Sequence, residues 1–230
     1  MISVCMATYN GAKYLREQII SILTQIGDED ELIISDDGSE DDTLSIIESF
    51  GDNRIRLYHN NGKHGVIWNF ENAIKKAKGD YIFLVDQDDI WEENKVSRCL
   101  EALKNVDLVV HNARVVYEDK NHNEEDFFQI RHSGPGYWKN LYKNSFMGSC
   151  MVFRKGVKDY VLPFPPHILW HDMWIGLMAE KKGKTRFIND KLLHYRRHDN
   201  NTSATSEKSK FSLWKMLKYR SQMFYYTSIR

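Results

Sequence analysis

The sequence predicts an α/β domain in which helices cover both faces of a largely parallel sheet. Short apolar runs alternate with segments of helical period through the first half of the chain, the pattern of β-α repetition. Residues 81–85, Tyr-Ile-Phe-Leu-Val, are apolar at every position, as expected of a strand buried on both faces. Of the 230 residues, 42% are apolar and 28% charged, a balance that fits one globular unit with an appendage and excludes a disordered or collagen-like chain.

In order, strand-like residues 2–6 precede a helical pattern at 14–25, 32–35 precede 43–50, 55–59 precede 67–77, and 81–85 precede 95–103; a further apolar run follows at 108–116. Within 67–77, Ile67, Phe70, Ala73, Ile74 and Ala77 make one apolar stripe, so this helix needs a sheet beneath it. Gly79-Asp80 stops it and introduces the central strand. Residues 117–136 are polar and aperiodic, as in a surface insertion or flexible lid. All four prolines follow residue 134, three of them in Pro163-Phe164-Pro165-Pro166, which predicts more irregular backbone in the second half.

A chain of this length needs no disulfide or metal staple. Cys5, Cys99 and Cys150 lack metal-ligand spacing and have apolar neighbours, the pattern of buried thiols in a reducing compartment. No run of 18 apolar residues and no basic segment leading into a long apolar core is present, so neither an ordinary membrane span nor a cleaved signal is expected, and the expected location is cytoplasmic. Net charge is zero, yet residues 1–110 carry 11 basic and 21 acidic side chains while 111–230 carry 21 and 11. Such polarity suits a cation held by carboxylates in one half and anion-attracting groups in the other, or simply a solvated surface. Near the C-terminus, Phe211, Leu213, Trp214, Leu217, Phe224, Tyr225 and Tyr226 mix with Lys210, Lys215, Lys218, Arg220 and Arg230. A basic aromatic helix of this kind suits packing on the protein or a partner, a second copy included, or lying on an anionic membrane surface at the inner face of the plasma membrane.

Three motifs follow expected strands. Asp86-Gln87-Asp88-Asp89 places three carboxylates at a strand's C-terminal end, the edge where ligand crevices open in α/β sheets. They repel one another unless a hard cation, basic groups or water screens them, and Mg²⁺ or Mn²⁺ bridging a diphosphate does so; a solvated acidic turn is the alternative. In Ser35-Asp36-Asp37-Gly38-Ser39 an Asp can accept an N–H from a pyrimidine, or Ser39 or Asp41 can cap the next helix. In Ala7-Thr8-Tyr9-Asn10, Tyr9 can stack on a base.

Taken in order with Phe146-Met147-Gly148-Ser149-Cys150, Trp170-His171-Asp172-Met173-Trp174 and Tyr195-Arg196-Arg197-His198-Asp199-Asn200-Asn201, these motifs resemble family 2 glycosyltransferases of the GT-A fold over residues 2–203. The form Asp86-Gln87-Asp88-Asp89-Ile90-Trp91 is similar to that of bacterial rhamnosyltransferase-like members. The resemblance implies a GT-A-like Rossmann-type sheet in one domain, 1–203, with a nucleotide-sugar-binding half at 1–110, an acceptor and catalytic half at 111–203, and an amphipathic helical extension at 204–230. It implies that Ala7 and Tyr9 line the base site, Asp37 contacts the uracil or thymine ring, Asp86 approaches the ribose or diphosphate, Asp88 binds the divalent metal, and Asp89 assists. Asp172 matches the general base of inverting members, a carboxylate that takes the acceptor hydroxyl proton as that oxygen attacks the anomeric carbon. His171 departs from the acidic pair of many relatives, and is set either to tune Asp172, to contact acceptor, or to pack. His198 completes the metal site or packs, and Arg196 or Arg197 neutralises phosphate oxygens, strand alternation putting Arg196 and His198 on one face. Gly148 lets backbone approach a sugar or starts a strand tightly, Trp170 contacts acceptor, and Trp91 and Trp174 pack in the core.

The expected activity is inverting, Mn²⁺- or Mg²⁺-dependent transfer from dTDP-rhamnose or a UDP-hexose to a hydroxyl of a saccharide or lipid-linked saccharide, in polysaccharide or glycoconjugate assembly. No nucleic-acid partner is expected. A nucleotide-sugar-binding subunit without turnover, or a nucleotidyltransferase, are the alternatives. No G-x-x-x-x-G-K-[ST] and no G-x-G-x-x-G after the first strand occur, which disfavours a P-loop NTPase and a Rossmann dehydrogenase.

Overall fold

A computed structural model describes residues 1–118, 123–198 and 212–230. Its first half is a parallel sheet of β1 (Ile2–Thr8), β2 (Glu31–Asp36), β3 (Ile55–His59) and β4 (Tyr81–Asp86), in the order β3-β2-β1-β4. Helices α1 (Ala12–Leu23), α2 (Thr43–Ser49) and α3 (Val66–Lys76) make the crossovers. Every residue of β1 and β2 is buried, and the α3 stripe closes over the sheet through Phe70, Ala73 and Ile74, each wholly buried. The core lies where the alternating pattern requires it.

Register fixes the functional edge. Thr8 pairs with Asp36 and Ala7 with Asp86, so β1, β2 and β4 end side by side and their following residues share one rim.

The second half is mixed. After β5 (Ile90–Trp91) and α4 (Lys95–Ala102), the long β6 (Leu108–Tyr117) runs parallel to β9 (Thr185–Arg197) and antiparallel to β8 (Met151–Arg154). The sheet continues from β4 as β8-β6-β9-β5. Phe83 pairs with Val152 antiparallel, which brings the turn just before β8, Gly148–Cys150, to the C-terminal end of β4. Tyr117 pairs with Arg197, which carries the end of β9 toward the same rim.

Within 117–136, the described residues do more than form a loop. β7 (Glu125–Asp126) pairs with β6, and α5 (Phe127–Arg131) buries Phe127 to 2% exposure. Asp126 caps α5 by accepting the Gln129 N–H at 3.1 Å. One apolar anchor and one cap are too short a signal for periodicity to register. α6 (Tyr137–Tyr142) and α7 (Lys158–Val161) precede the proline-rich stretch, which is irregular up to α8 (His171–Lys182). The terminal helix α9 (Leu213–Ile229) packs on α6 and α8. The expected domain boundary at 203, the Asp199-Asn200-Asn201 end of the last motif, and Lys210 and Phe211 lie outside the described residues. Cys5, Cys99 and Cys150 are buried free thiols, and burial raises the thiol pKa of each, that of Cys99 to about 12.

Candidate active site

The tips of β1 and β2 hold the groups expected to meet a base. Ala7 is buried, and Tyr9 is 55% exposed with its ring open to solvent. The Tyr9 backbone is fixed by one side chain: its N–H donates to Gln87 Oε1 at 2.9 Å and its carbonyl accepts from Gln87 Nε2 at 3.0 Å. The two acids after β2 divide their work. Asp36 is internal, accepting from the Thr8 hydroxyl at 2.9 Å and from the Gly38 and Ser39 N–H groups at 3.0 and 2.8 Å. Asp37 faces the rim, where its Oδ1 accepts from Asn60 Nδ2 at 2.8 Å and sits 3.1 Å from His64 Nδ1. Its Oδ2 accepts the Gly65 N–H at 2.7 Å, which leaves that oxygen a second lone pair for another donor. Asp41 takes the local role considered for this motif, accepting the Thr43 N–H at 3.0 Å at the start of α2.

The acidic cluster after β4 is built around a buried cation. Burial, then the charges of Asp88 and Asp172, push the Asp86 carboxyl up to about 7. Asp89 is fully buried and raised well above the carboxylate range, first by burial and then by Asp88 and Asp86. Its Oδ1 accepts the Arg196 N–H at 3.2 Å, while Oδ2 has no hydrogen-bond partner. Ser149 favours the charged forms of both acids, although its buried hydroxyl closes no direct hydrogen bond to either. Lys95, on the first turn of α4, is 1% exposed. Its Nζ donates to the Ser149 carbonyl at 2.9 Å and lies 4.5 Å from the Trp91 ring centre. Burial lowers its pKa, and Cys150, Cys99, Asp89 and Asp86 oppose that. Because the thiols stay protonated, the two carboxyls are the groups that can balance its charge.

His198 reaches the cluster from the end of β9. Its Nε2 is 3.0 Å from Asp88 Oδ2, and its ring stacks on Tyr14 with centroids 4.6 Å apart. The Arg196 guanidinium lies 5.3 Å from the same Tyr14 ring and bonds to Glu17. Arg196 and His198 thus share a face, as alternation predicted.

Asp172 enters from the other half, in the first turn of α8. Burial lifts its carboxyl to about 6, against the Met173 N–H, which donates at 2.6 Å, and the Arg131 charge. Its charge acts on Asp86, so acids from the two halves face one another. His171 packs on Phe70 with centroids 4.1 Å apart, and burial lowers its pKa to about 3, so it is neutral near pH 7. Its Nε2 has no hydrogen-bond partner. A Cβ on Gly148 would come within 2.7 Å of that nitrogen, so glycine is what lets the turn pass the imidazole. Trp170 precedes α8 and is 39% exposed. Trp91 and Trp174 are core residues, 4% and 0% exposed, the indole N–H of Trp174 donating to the Val161 carbonyl at 2.9 Å.

Among the described residues no three His, Cys, Asp or Glu side chains form a ready metal cage. Asp88 and His198 offer one carboxylate and one imidazole at the rim, a pair that fits a hard cation whose remaining positions are filled by phosphate oxygens and water. Two structural roles escaped the sequence reading. Gln87, set between the acids, ties the β1 and β4 tips together. Lys95 has a signal: it lies on the buried stripe of Val96, Cys99 and Ala102, where an unpaired lysine is costly and implies hidden acids.

The sequence model of glycosyl transferase family 2 matches residues 3–162. The chain is 30% identical over 214 residues to an Escherichia coli UDP-Glc:α-D-GlcNAc-diphosphoundecaprenol β-1,3-glucosyltransferase, WfaP, covering 90% of this chain and 82% of that protein. Its fold is similar to residues 1–349 of S. aureus TarS in complex with UDP-GlcNAc, with TM-score 0.74 and 17% identity, over 96% of this chain and 66% of that one. It is also similar to the mannosyltransferase PcManGT from Pyrobaculum calidifontis in complex with GDP-Man and Mn²⁺, with TM-score 0.63 and 18% identity, over 87% and 58%. The chain therefore spans about two thirds or less of these two solved chains. A matched family model that runs from β1 through the acidic rim to α7, on a GT-A sheet, leaves one assignment: the chain belongs to glycosyl transferase family 2.

Proposed function

We propose that this domain transfers a sugar, with inversion, from a nucleoside diphosphate donor to a hydroxyl of a saccharide or lipid-linked saccharide, with Mn²⁺ or Mg²⁺ as cofactor. A dTDP-rhamnose or UDP-hexose donor fits a pyrimidine-reading Asp37. The observation that carries the reading is one rim formed by the registered tips of β1, β2 and β4, where His198 from the end of β9 comes within 3.0 Å of Asp88, with Asp172 near enough for its charge to act on Asp86. A donor site and a base must both reach the anomeric carbon, and acids from both halves of the sheet are available here.

In this reading Tyr9 stacks on the base and Asp37 accepts a ring N–H through the lone pair left beside Gly65. Asp86 meets the ribose or diphosphate. Asp88 and His198 hold the cation, which when bound offsets negative charge on the leaving diphosphate. Asp172 accepts the acceptor hydroxyl proton as that oxygen forms its bond to the anomeric carbon and the bond to the diphosphate breaks. With a pKa of about 6, Asp172 is mainly a carboxylate at pH 7. The identity of WfaP, which acts on a diphosphoundecaprenol-linked sugar, supports a lipid-linked acceptor.

Thermal-shift screening of UDP-, dTDP- and GDP-sugars with and without Mn²⁺, followed by detection of released nucleoside diphosphate, tests this. The expected result is metal-dependent stabilisation by a pyrimidine donor and release of its diphosphate when an acceptor is added. Stabilisation by no donor under any metal condition would overturn the donor site; release of pyrophosphate from a triphosphate would replace transfer with nucleotidyl chemistry.

A further inference from the structure

Helix α9 is apolar on two faces, and the protein covers one. On the inner face Met223 and Thr227 are 4% and 0% exposed against α6 and α8. The Thr227 hydroxyl meets the Tyr137 hydroxyl at 2.5 Å, Lys181 Nζ donates to the Thr227 carbonyl, and the Arg230 guanidinium donates to the Pro163 carbonyl at 2.6 Å. On the outer face Trp214, Leu217 and Phe224 are 83%, 53% and 44% exposed, with Tyr225 at 58% beside them. This surface continues onto α6, where Trp138, 68% exposed, lies 5.7 Å from the Phe224 ring. Tyr142, 70% exposed, lies 4.6 Å from the Arg220 guanidinium. A helix apolar all round belongs in a core or against another apolar medium, and a contiguous exposed apolar patch marks a docking surface.

Charge says what covers it. Lys139, Lys143, Lys215 and Lys218 are exposed on these two helices, and residues 136–144 and 212–230 contain no Asp or Glu. We propose that the α6/α9 face docks this domain on an anionic lipid bilayer, the aromatic rings entering the headgroup boundary while the lysines meet lipid phosphates. Tyr and Trp, apolar in body and polar at one end, suit that boundary, and lysine stems reach past buried apolar surface to charged headgroups. A two-fold pairing with a second copy would lay this basic patch on itself, cation against cation. Among the described residues no helix is long and apolar enough to cross a membrane, so the contact is a surface one. It does not depend on the donor or on turnover.

Flotation of the full chain with vesicles of phosphatidylcholine containing about one third phosphatidylglycerol, and with phosphatidylcholine alone, tests it. The full chain is expected to float with the anionic vesicles at least about tenfold more than with neutral ones, and to be released as salt approaches about 1 M. Trp214→Ser with Leu217→Ser and Phe224→Ser should abolish flotation, and Lys215→Gln with Lys218→Gln should weaken it about fivefold per charge. Trp214, Leu217, Lys215 and Lys218 are mostly solvent-facing and Phe224 loses only its contact with Trp138, so melting temperature should fall by no more than a few degrees and a folding defect is distinguishable. Absence of flotation with anionic vesicles, or equal flotation of the apolar triple variant, would overturn the proposal. So would a dimer in light scattering that the triple variant converts to monomer, because the face would then belong to a second copy.

Discussion

The two halves of the sheet position their functional groups by different means. In the parallel half, register does it: Thr8 opposite Asp36 and Ala7 opposite Asp86 put three strand tips on one rim. At the tip of β2 the acids are held by several partners, Asp37 by Asn60, His64 and Gly65, and Asp36 by Thr8, Gly38 and Ser39. The mixed half delivers single residues from a turn, a helix start and a strand end: Gly148, Asp172 and His198. The Met173 N–H, the Arg131 charge and the Asn144 side chain favour the charge of Asp172, and burial outweighs them all. Groups fixed at the open tip of β2 are set to bind, whereas a carboxylate whose burial outweighs its partners retains basicity. Damage to the first half should therefore appear in affinity and stability, and damage to Asp172 in turnover.

The largest expected effect tests that division directly. Asp172→Asn should lower kcat by about 10²- to 10⁴-fold, the span of a lost general base, with nucleoside diphosphate affinity unchanged. Asn can still accept the Met173 N–H, so the start of α8 should survive. The folded pKa of Asp172 is raised to about 6 from an ordinary 3.8. Its neutral form is thus favoured by folding, and stability present below the unfolded value is lost as pH rises through the folded one. The variant should melt about 2–6 °C higher than the parent near pH 7.5, and the gain should vanish near pH 4. Transfer by the parent should fall about tenfold per pH unit below pH 6 and level off above it. Equal turnover of the variant, or lost nucleotide binding, would break the contrast between the halves.

Next in size is the buried cation. Lys95→Met keeps roughly the length of the side chain and removes its charge, and with it the nearby positive field that favours the ionised form of Asp86. Breaking a buried charge arrangement on one side costs about 3 kcal/mol, a fall in melting temperature on the order of 10 °C for a domain of this size. Adding Asp89→Asn removes one of the buried acids and should recover at least half of the loss, measurable as a double-mutant cycle. Additive losses would mean that Lys95 serves the Ser149 carbonyl and the Trp91 ring alone.

The same contrast explains what could be read from sequence. Parallel strands reveal themselves as apolar runs and their crossover helices as stripes, so β1 to β4, α1 to α4 and β6 fall within a few residues of expectation, while the two-residue β5 is not expected. The mixed half offers no such period. β7 and α5 hang on Phe127 and the Asp126 cap, and the approach of the Gly148–Cys150 turn to the end of β4 comes from an antiparallel register between β4 and β8 that no local pattern encodes. From sequence His171 can tune Asp172, contact acceptor or pack; stacking on Phe70 and the close pass of Gly148 describe a packed ring, and burial keeps it neutral. Lys95 and Gln87 escaped for opposite reasons, one because a lysine on a helix reads as surface, the other because a single amide between acids reads as filler.

Gln87 supplies the smallest and sharpest test. Its side chain donates to and accepts from the Tyr9 backbone, so it sets the pose of an exposed ring without touching the cluster beneath. Each such bond contributes about 1 kcal/mol, and Gln87→Ala should weaken nucleoside diphosphate binding about three- to tenfold with kcat nearly unchanged. A Cβ on Gly11 would lie 2.3 Å from Gln87 Oε1, and Gly11 has an ordinary negative φ of −104°, so Gly11→Ala should act by pushing the amide off Tyr9 rather than by straining the backbone. The two substitutions then strike one interaction. Gly11→Ala should weaken binding in the parent and do nothing further in Gln87→Ala, a non-additivity that titration calorimetry can resolve. If the losses add, the β1 tip is held by the sheet alone, and the amide between the acids does not fix the ring.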